Sequence, residues 1–251
     1  MTLAVERRYR SNVTESLNWT RIAQLGALLA AVAGLGFVAV AWIVTSAPNM
    51  ITPLDESWGK AFFNLGAEHS WLVSVSEFCH FVGGVLFSTL TVFVVSVSLL
   101  LWGRFGSPVP LPTAAAVFLI ISAAGGAFLN TVVKSAVGRE RPPTNGTYQL
   151  EESLSFPSGH TQAGITVWFA LGLVALVLLP RAVRWWIAAP LMIFGISIGF
   201  SRLILGVHWA TDVIGGWLLG LSWLGVSLVV ARVLFGREPN DPRAAEQPDT
   251  A

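Results

Sequence analysis

Apolar runs of about twenty residues recur along this chain, and they constrain its fold more than any other feature does. They cover about 22–45, 78–102, 113–133, 158–180, 185–203 and 210–234. Each can cross the roughly 30 Å of hydrocarbon in a bilayer, and the first is too long for an ordinary signal-peptide core. Lipid offers no water to the backbone, so each run must satisfy its own N–H and C=O groups as a helix. The expected fold is an all-α integral membrane protein, a six-transmembrane helix bundle. Only 12% of residues are charged and 54% are hydrophobic, whereas soluble domains carry about a quarter charged residues.

The segments between the runs supply the topology. Residues 1–21 are polar and contain Arg7, Arg8, Arg10 and Arg21, and residues 236–251 form a polar tail with three prolines that is expected to be disordered. Residues 46–77 are mixed in character and read as short interfacial helices, while 135–157 form the longest polar connection. Six spans place both termini on one side, and ten of the 15 Lys and Arg residues fall there. The positive-inside rule then makes the termini cytoplasmic and the protein a multi-pass protein of the plasma membrane. The remaining five are Lys60, Lys134, Arg139, Arg141 and Arg202, on the extracytoplasmic side. A net charge of +1 gives no reason to expect nucleic acid, and a single cysteine excludes an intrachain disulfide and a Cys-rich metal site.

Three short groups of polar residues interrupt the apolar second half, all at ends of spans that this topology brings to the outer face. The first is Lys134, then Arg141 and Pro142; the second is Pro157, Ser158, Gly159 and His160; the third is Ser201 and Arg202, then His208 and Asp212. Ionisable residues at membrane depth mark water, a mutual partner or a ligand. On a helix His208 and Asp212 share a face, so the carboxylate can hold one imidazole nitrogen as N–H and leave the other as base or nucleophile. Lys134, Arg141 and Arg202 offer donors suited to phosphate oxygens. Ser158, Gly159 and His160 open the fourth span, where free N–H groups and the helix dipole favour an anion. Read singly, each group has an ordinary explanation: Arg141 before a proline ends a loop, Ser158 caps a helix, and His208 with Asp212 pairs inside a bundle. A packing explanation predicts neither a common face nor a fixed order. His69, His80 and Cys79 match no ligand spacing and read as packing or interface residues. Arg139 reads as a phosphate contact or a partner of Glu140, and Gly216 with Gly220 as a helix-packing pair.

In order and spacing the three groups resemble the signature motifs of the type-2 phosphatidic acid phosphatase superfamily, whose members include membrane lipid phosphatases and undecaprenyl pyrophosphate phosphatases. The motifs cover about 134–212, and the six-span layout extends the likeness over most of the chain. The resemblance implies His208 as a nucleophile forming a phosphohistidine, Asp212 as its orienting carboxylate and His160 as general acid. It implies phosphate binding by Lys134, Arg141, Ser158, Gly159 and Arg202, with no metal or other cofactor. The implied activity is metal-independent hydrolysis of a lipid phosphate monoester or diphosphate, such as undecaprenyl pyrophosphate or phosphatidic acid, with the lipid and the bilayer as partners. Two alternatives remain: a phosphatase or phosphotransferase acting on a soluble phosphate, and a non-catalytic lipid-binding or transport protein.

Overall fold

The computed structural model describes residues 18–107 and 111–236; the polar stretches 1–17 and 237–251, with their expected cytoplasmic placement and disordered tail, lie outside these residues. Among the described residues all regular structure is helical. The helices are α1 (Trp19–Ser46), α2 (Pro48–Glu68), α3 (Ser70–Gly83), α4 (Val85–Phe105), α5 (Leu111–Val137), α6 (Gly159–Leu178), α7 (Arg184–Ile204) and α8 (Ala210–Phe235). Six of them, α1 and α4 to α8, are long and apolar enough to cross a membrane, which makes this a multi-pass membrane protein. Their order brings the ends of α1, α5 and α7 and the starts of α4, α6 and α8 to one face of the bundle.

Between α1 and α4 the chain departs from a simple reading of the apolar pattern. The run expected from Phe78 is divided at Gly84, so that Phe78–Gly83 finishes α3 and the span itself begins at Val85. The Gly83–Gly84 pair lowers helix propensity, and Gly84 is extended at φ −68° and ψ 162°. Residues 46–77, expected to hold short helices, instead contribute all of the 21-residue α2 and the first half of the 14-residue α3. A cluster of Phe62, Leu72 and Val73 with Ile204, Leu205 and Val207 fixes this pair over the turn between α7 and α8.

Helix association in lipid gains little from apolar burial, because lipid tails are as apolar as leucine; close backbone approach takes over. On α8, a Cβ at Gly216 would lie 2.8 Å from Ser158 O, and one at Gly220 would lie 2.8 Å from Ile165 Cβ, so the G-x-x-x-G pair seats α6. Gly164 of α6 and Gly195 of α7 meet backbone to backbone, each lying where a Cβ on the other would overlap its carbonyl oxygen. Both α5 and α6 contain a π-turn, Ile121–Gly125 and Gly164–Phe169. Such turns disturb the regular carbonyl ladder, and in a membrane the affected groups need nearby donors. Ser122 Oγ donates to Thr166 O at 2.7 Å, Trp223 Nε1 to Ile121 O at 3.0 Å and Gln162 Nε2 to Gly126 O at 2.9 Å.

Candidate active site

Four helix ends and two connections deliver the polar groups to this face. Lys134 lies in the last turn of α5, which stops at Gly138 in the left-handed conformation (φ 66°), where a side chain would be strained. The loop 138–158 follows and carries Arg139, Arg141 and Glu151. Ser158 then caps α6: its Oγ accepts from Thr161 N–H at 3.4 Å and from the Thr161 hydroxyl at 2.9 Å. Arg202 closes α7, and the turn after it needs Gly206 at φ 69°, where a Cβ would sit 2.7 Å from the Phe63 ring. His208 occupies that turn, and Asp212 is the third residue of α8.

The His208–Asp212 pair is buried and oriented. His208 Nδ1 lies 3.2 Å from Asp212 Oδ2, which also accepts from Trp209 N–H at 2.9 Å, a helix-start bond that locks the carboxylate rotamer. With Nδ1 donating to the carboxylate, Nε2 carries the lone pair, and Arg141 Nη1 donates to it at 3.1 Å. Burial, followed by the charges of Arg141, Arg202 and Lys134, holds the His208 imidazole well below the usual histidine range. It is therefore a neutral nitrogen base among cations.

The three expected cations converge on this pair. Arg141 Nε donates to Ser153 O at 2.6 Å and its Nη1 to Val207 O at 2.7 Å. Lys134 Nζ donates to Leu154 O at 2.6 Å. Arg202, with no exposed surface, directs Nη1 to His80 Nδ1 at 2.9 Å and Nη2 to Glu151 Oε1 at 2.5 Å. His160 lies alongside, its ring centroid 4.8 Å from that of His80 and its Nδ1 3.9 Å from Glu151 Oε1. Two buried atoms of this group, Arg202 Nε and His160 Nε2, have no hydrogen-bond partner among the described residues. Lys134, Arg141, Gly159, His160 and His208 line one cavity of about 970 Å³. Ser158 and Arg202 are outside that lining; Ser158 Oγ accepts the α6 cap bonds.

Four functional neighbours were not legible in the motifs. Glu151 ion-pairs with Arg202 and comes within 3.9 Å of Arg141. His80, read from sequence as packing, accepts from Arg202, and burial followed by the Arg202 charge pulls its pKa down. Arg139 makes no pair with Glu140; it bridges Asp212 at 2.7 Å and Asp55 of α2 at 2.6 Å. The ligand atoms of His80, Glu151 and His160 all fall within 4.8 Å of one another, close enough to hold a metal ion. The Arg202 guanidinium already takes the Glu151 carboxylate and the His80 lone pair, so a second cation would have to displace a fully buried one. The donor set is arranged for an anion.

Beyond its polar end the cavity continues between α4 and α5 along Val85, Val92, Phe93, Ile120, Ala123 and Ala127, with Thr166 and Val167 of α6 as floor. One wall is cationic and most of the remaining surface is apolar.

Fold and site together define a polytopic helical membrane protein with a buried, cation-ringed histidine–carboxylate pair at one end of the bundle. Residues 115–235 match the model of the PAP2 superfamily. The chain is 37% identical over 112 residues to an undecaprenyl-diphosphatase of Sulfolobus acidocaldarius, covering 42% of this chain and 50% of that protein. It is 36% identical over 98 residues to phosphatidylglycerophosphatase B of Bacillus subtilis, covering 37% and 46%. The chain thus spans about half the length of the curated relatives it matches. The crystal structure of a transmembrane PAP2 type phosphatidylglycerolphosphate phosphatase from Bacillus subtilis superposes with a TM-score of 0.68 at 23% identity, over 79% of this chain and 93% of that one. That likeness is one of fold.

Proposed function

We propose that this protein is an integral membrane phosphatase that hydrolyses a phosphate monoester or diphosphate of a lipid through a phosphohistidine at His208. The observation that carries the reading is a neutral, carboxylate-held imidazole inside a ring of three cations, at the polar end of a groove whose remainder is mostly apolar. The groove suits an amphiphile: its tail lies between α4 and α5 while its phosphate reaches Lys134, Arg141 and Arg202. A soluble phosphate would leave that apolar wall without a role. The names of the curated relatives, an undecaprenyl-diphosphatase and a phosphatidylglycerophosphatase, favour the same substrate class.

In the first step the lone pair of His208 Nε2 forms a bond to phosphorus as the phosphorus–oxygen bond to the lipid breaks. The departing oxygen takes that electron pair and a proton from His160. Asp212 stabilises the imidazolium character that develops, and the cations and the Gly159 N–H bind the three spectator oxygens. In the second step water attacks phosphorus, His160 removes its proton, the phosphorus–nitrogen bond breaks and inorganic phosphate leaves. Arg141, bonded to Nε2, turns to a phosphate oxygen as substrate enters and so frees the nucleophile.

The excess of Lys and Arg on the terminal side supports cytoplasmic termini, an active site at the extracytoplasmic face and residence in the plasma membrane. A six-span domain over 22–235 follows from the same layout.

The test is phosphate release from a panel of lipid monophosphates, lipid diphosphates and soluble sugar phosphates, on purified protein in detergent with EDTA throughout. Lipid substrates are expected to react, and His208→Ala to lose at least about a thousandfold in rate with the fold retained. Activity confined to sugar phosphates, activity that needs an added divalent ion, or full activity in His208→Ala would each refute the proposal.

A further inference from the structure

A buried carboxylate on an otherwise exposed amphipathic helix needs an explanation, because its desolvation costs several kcal/mol unless charged and hydrogen-bonded partners offset it. Asp55 of α2 is 1% exposed and lies outside the residues that match the family model. Its donors come from elsewhere in the fold. Oδ1 accepts from Thr211 N–H at 2.8 Å, in the first turn of α8, and from the Thr211 hydroxyl at 3.0 Å. Oδ2 accepts from Arg139 Nη2 at 2.6 Å and from the same hydroxyl at 2.8 Å.

Arg139 is the joint. Its Nη1 donates to Asp212 Oδ1 at 2.7 Å and to Thr211 Oγ1 at 2.8 Å, and its guanidinium carbon stands 5.4 Å from the Trp209 ring centroid. Asp212 therefore has one oxygen on Arg139 and the other on His208 Nδ1 and Trp209 N–H. A continuous line runs from Asp55 through Arg139 and Asp212 to His208. Only with Asp55 present do the three charges Asp55, Arg139 and Asp212 sum to minus one, leaving negative charge for the imidazole. Without it, Arg139 would neutralise Asp212 alone.

We infer that Asp55 is a positioning residue for the reaction proposed above, holding Arg139 so that Asp212 keeps both its orientation and its negative charge toward His208. The interfacial helix α2 is thereby part of the catalytic apparatus, although it touches no substrate. The groups that face His208 are Asp212 from α8, Lys134 from α5, His160 from α6, Arg202 from α7 and Arg141 from the loop; Asp55 acts through the first of these.

The experiment rests on the phosphatase reading and compares wild type with Asp55→Asn. The amide oxygen still accepts from Thr211 N–H, but the charge opposite Arg139 is lost. The expected result is a fall in kcat of about tenfold, the scale for losing an outer partner of a functional imidazole. KM stays within twofold, by roughly the same reasoning that Asp55 contacts no substrate. The acid limb of the rate profile moves to lower pH, because an imidazolium with less negative charge beside it is harder to form. The double variant Asp55→Asn with Arg139→Gln restores net negative charge at Asp212 and brings that limb back toward wild type. An unchanged kcat and pH profile in folded Asp55→Asn would overturn the inference, as would a rise in KM alone. If Asp55→Asn does not fold, Arg139→Lys decides. It keeps the charge but cannot fork between two carboxylates, so a lower kcat at unchanged KM supports the bridge, and wild-type kcat refutes it. A separate readout guards against failure of the phosphatase reading itself. In nitrogen-labelled protein the His208 Nδ1 proton resonance, identified by its loss in His208→Ala, should shift upfield in Asp55→Asn even if no lipid phosphate is hydrolysed. No shift would refute the coupling independently.

Discussion

Replacing Glu151 with glutamine, Glu151→Gln, removes a carboxylate that stands between two cations of the site, Arg202 and Arg141. Glu151 Oε1 lies 2.5 Å from Arg202 Nη2, and Arg202 has no exposed surface. The Glu151 side chain is 18% exposed and its other oxygen is 3.9 Å from Arg141. Two unit charges about 4 Å apart interact by about 4 kcal/mol at an effective dielectric of 20. Removing one member of a buried pair costs about 3 to 5 kcal/mol, because the other charge stays buried and uncompensated. Partial exposure places the expected loss at the lower end, about 3 kcal/mol. At 2 to 4 °C per kcal/mol for a chain of this size, Tm should fall by about 6 to 12 °C. A tetrahedral oxyanion would restore the missing charge. Orthovanadate should therefore raise the Tm of the variant more than that of wild type, and its inhibition constant for phosphate release should fall by about tenfold, equivalent to about 1.4 kcal/mol. Thermal unfolding in detergent with and without vanadate reads the first quantity, and a vanadate titration of phosphate release the second. A Tm equal to wild type together with an equal or smaller vanadate effect would show that Glu151 and the phosphate do not compete for Arg202, and the argument would fall.

Two further predictions follow from charge and topology. Burial and three cations hold His208 below its ordinary value of about 6.5, so its contribution to stability is complete above that pH and is lost as the pH falls toward the folded value. Histidine NMR should accordingly show the His208 ring neutral at about pH 6.5, and a midpoint at or above that value would refute the electrostatic account of the site. Reporter fusions should read cytoplasmic after Gly236 and extracytoplasmic when inserted at Asn145, and the opposite pattern would reverse the proposed sidedness.

The apolar pattern carries the number of spans because crossing lipid demands length and composition, both local properties. The division at Gly84 is less legible: apolar residues continue through it, and the Gly83–Gly84 dipeptide was the available sign. The three motifs were readable because their spacings sit at span ends; the structure sets Lys134, Arg141, Gly159, His160 and His208 around one cavity, with Asp212 and Arg202 bonded behind that lining to His208 and Glu151. Glu151 was one acidic residue in a polar loop, His80 one histidine in an apolar helix, and neither has a local signature. Their partner Arg202 is 51 and 122 residues away. Asp55 is further removed still, 156 residues from Thr211, and lies in a segment whose mixed composition indicated an interface rather than a site. Sequence spacing exposes groups that share a helix; it says nothing of carboxylates that meet only after two helices have closed over a turn.

The contact between Gly164 and Gly195 has a mechanical meaning for the chemistry above it. Gly164 lies four residues beyond His160 on α6, and Gly195 lies seven residues before Arg202 on α7, about 10 Å along the axis. With no side chain on either, backbone touches backbone and the two helices have a fulcrum of fixed height. A single methyl group there would act as a shim, and the tilt it forced would grow along each arm until it reached His160 and the buried Arg202 guanidinium. The gauge of the reaction centre is thus set more than a turn below its rim, by two residues that carry no charge, hold no proton and never meet the phosphate.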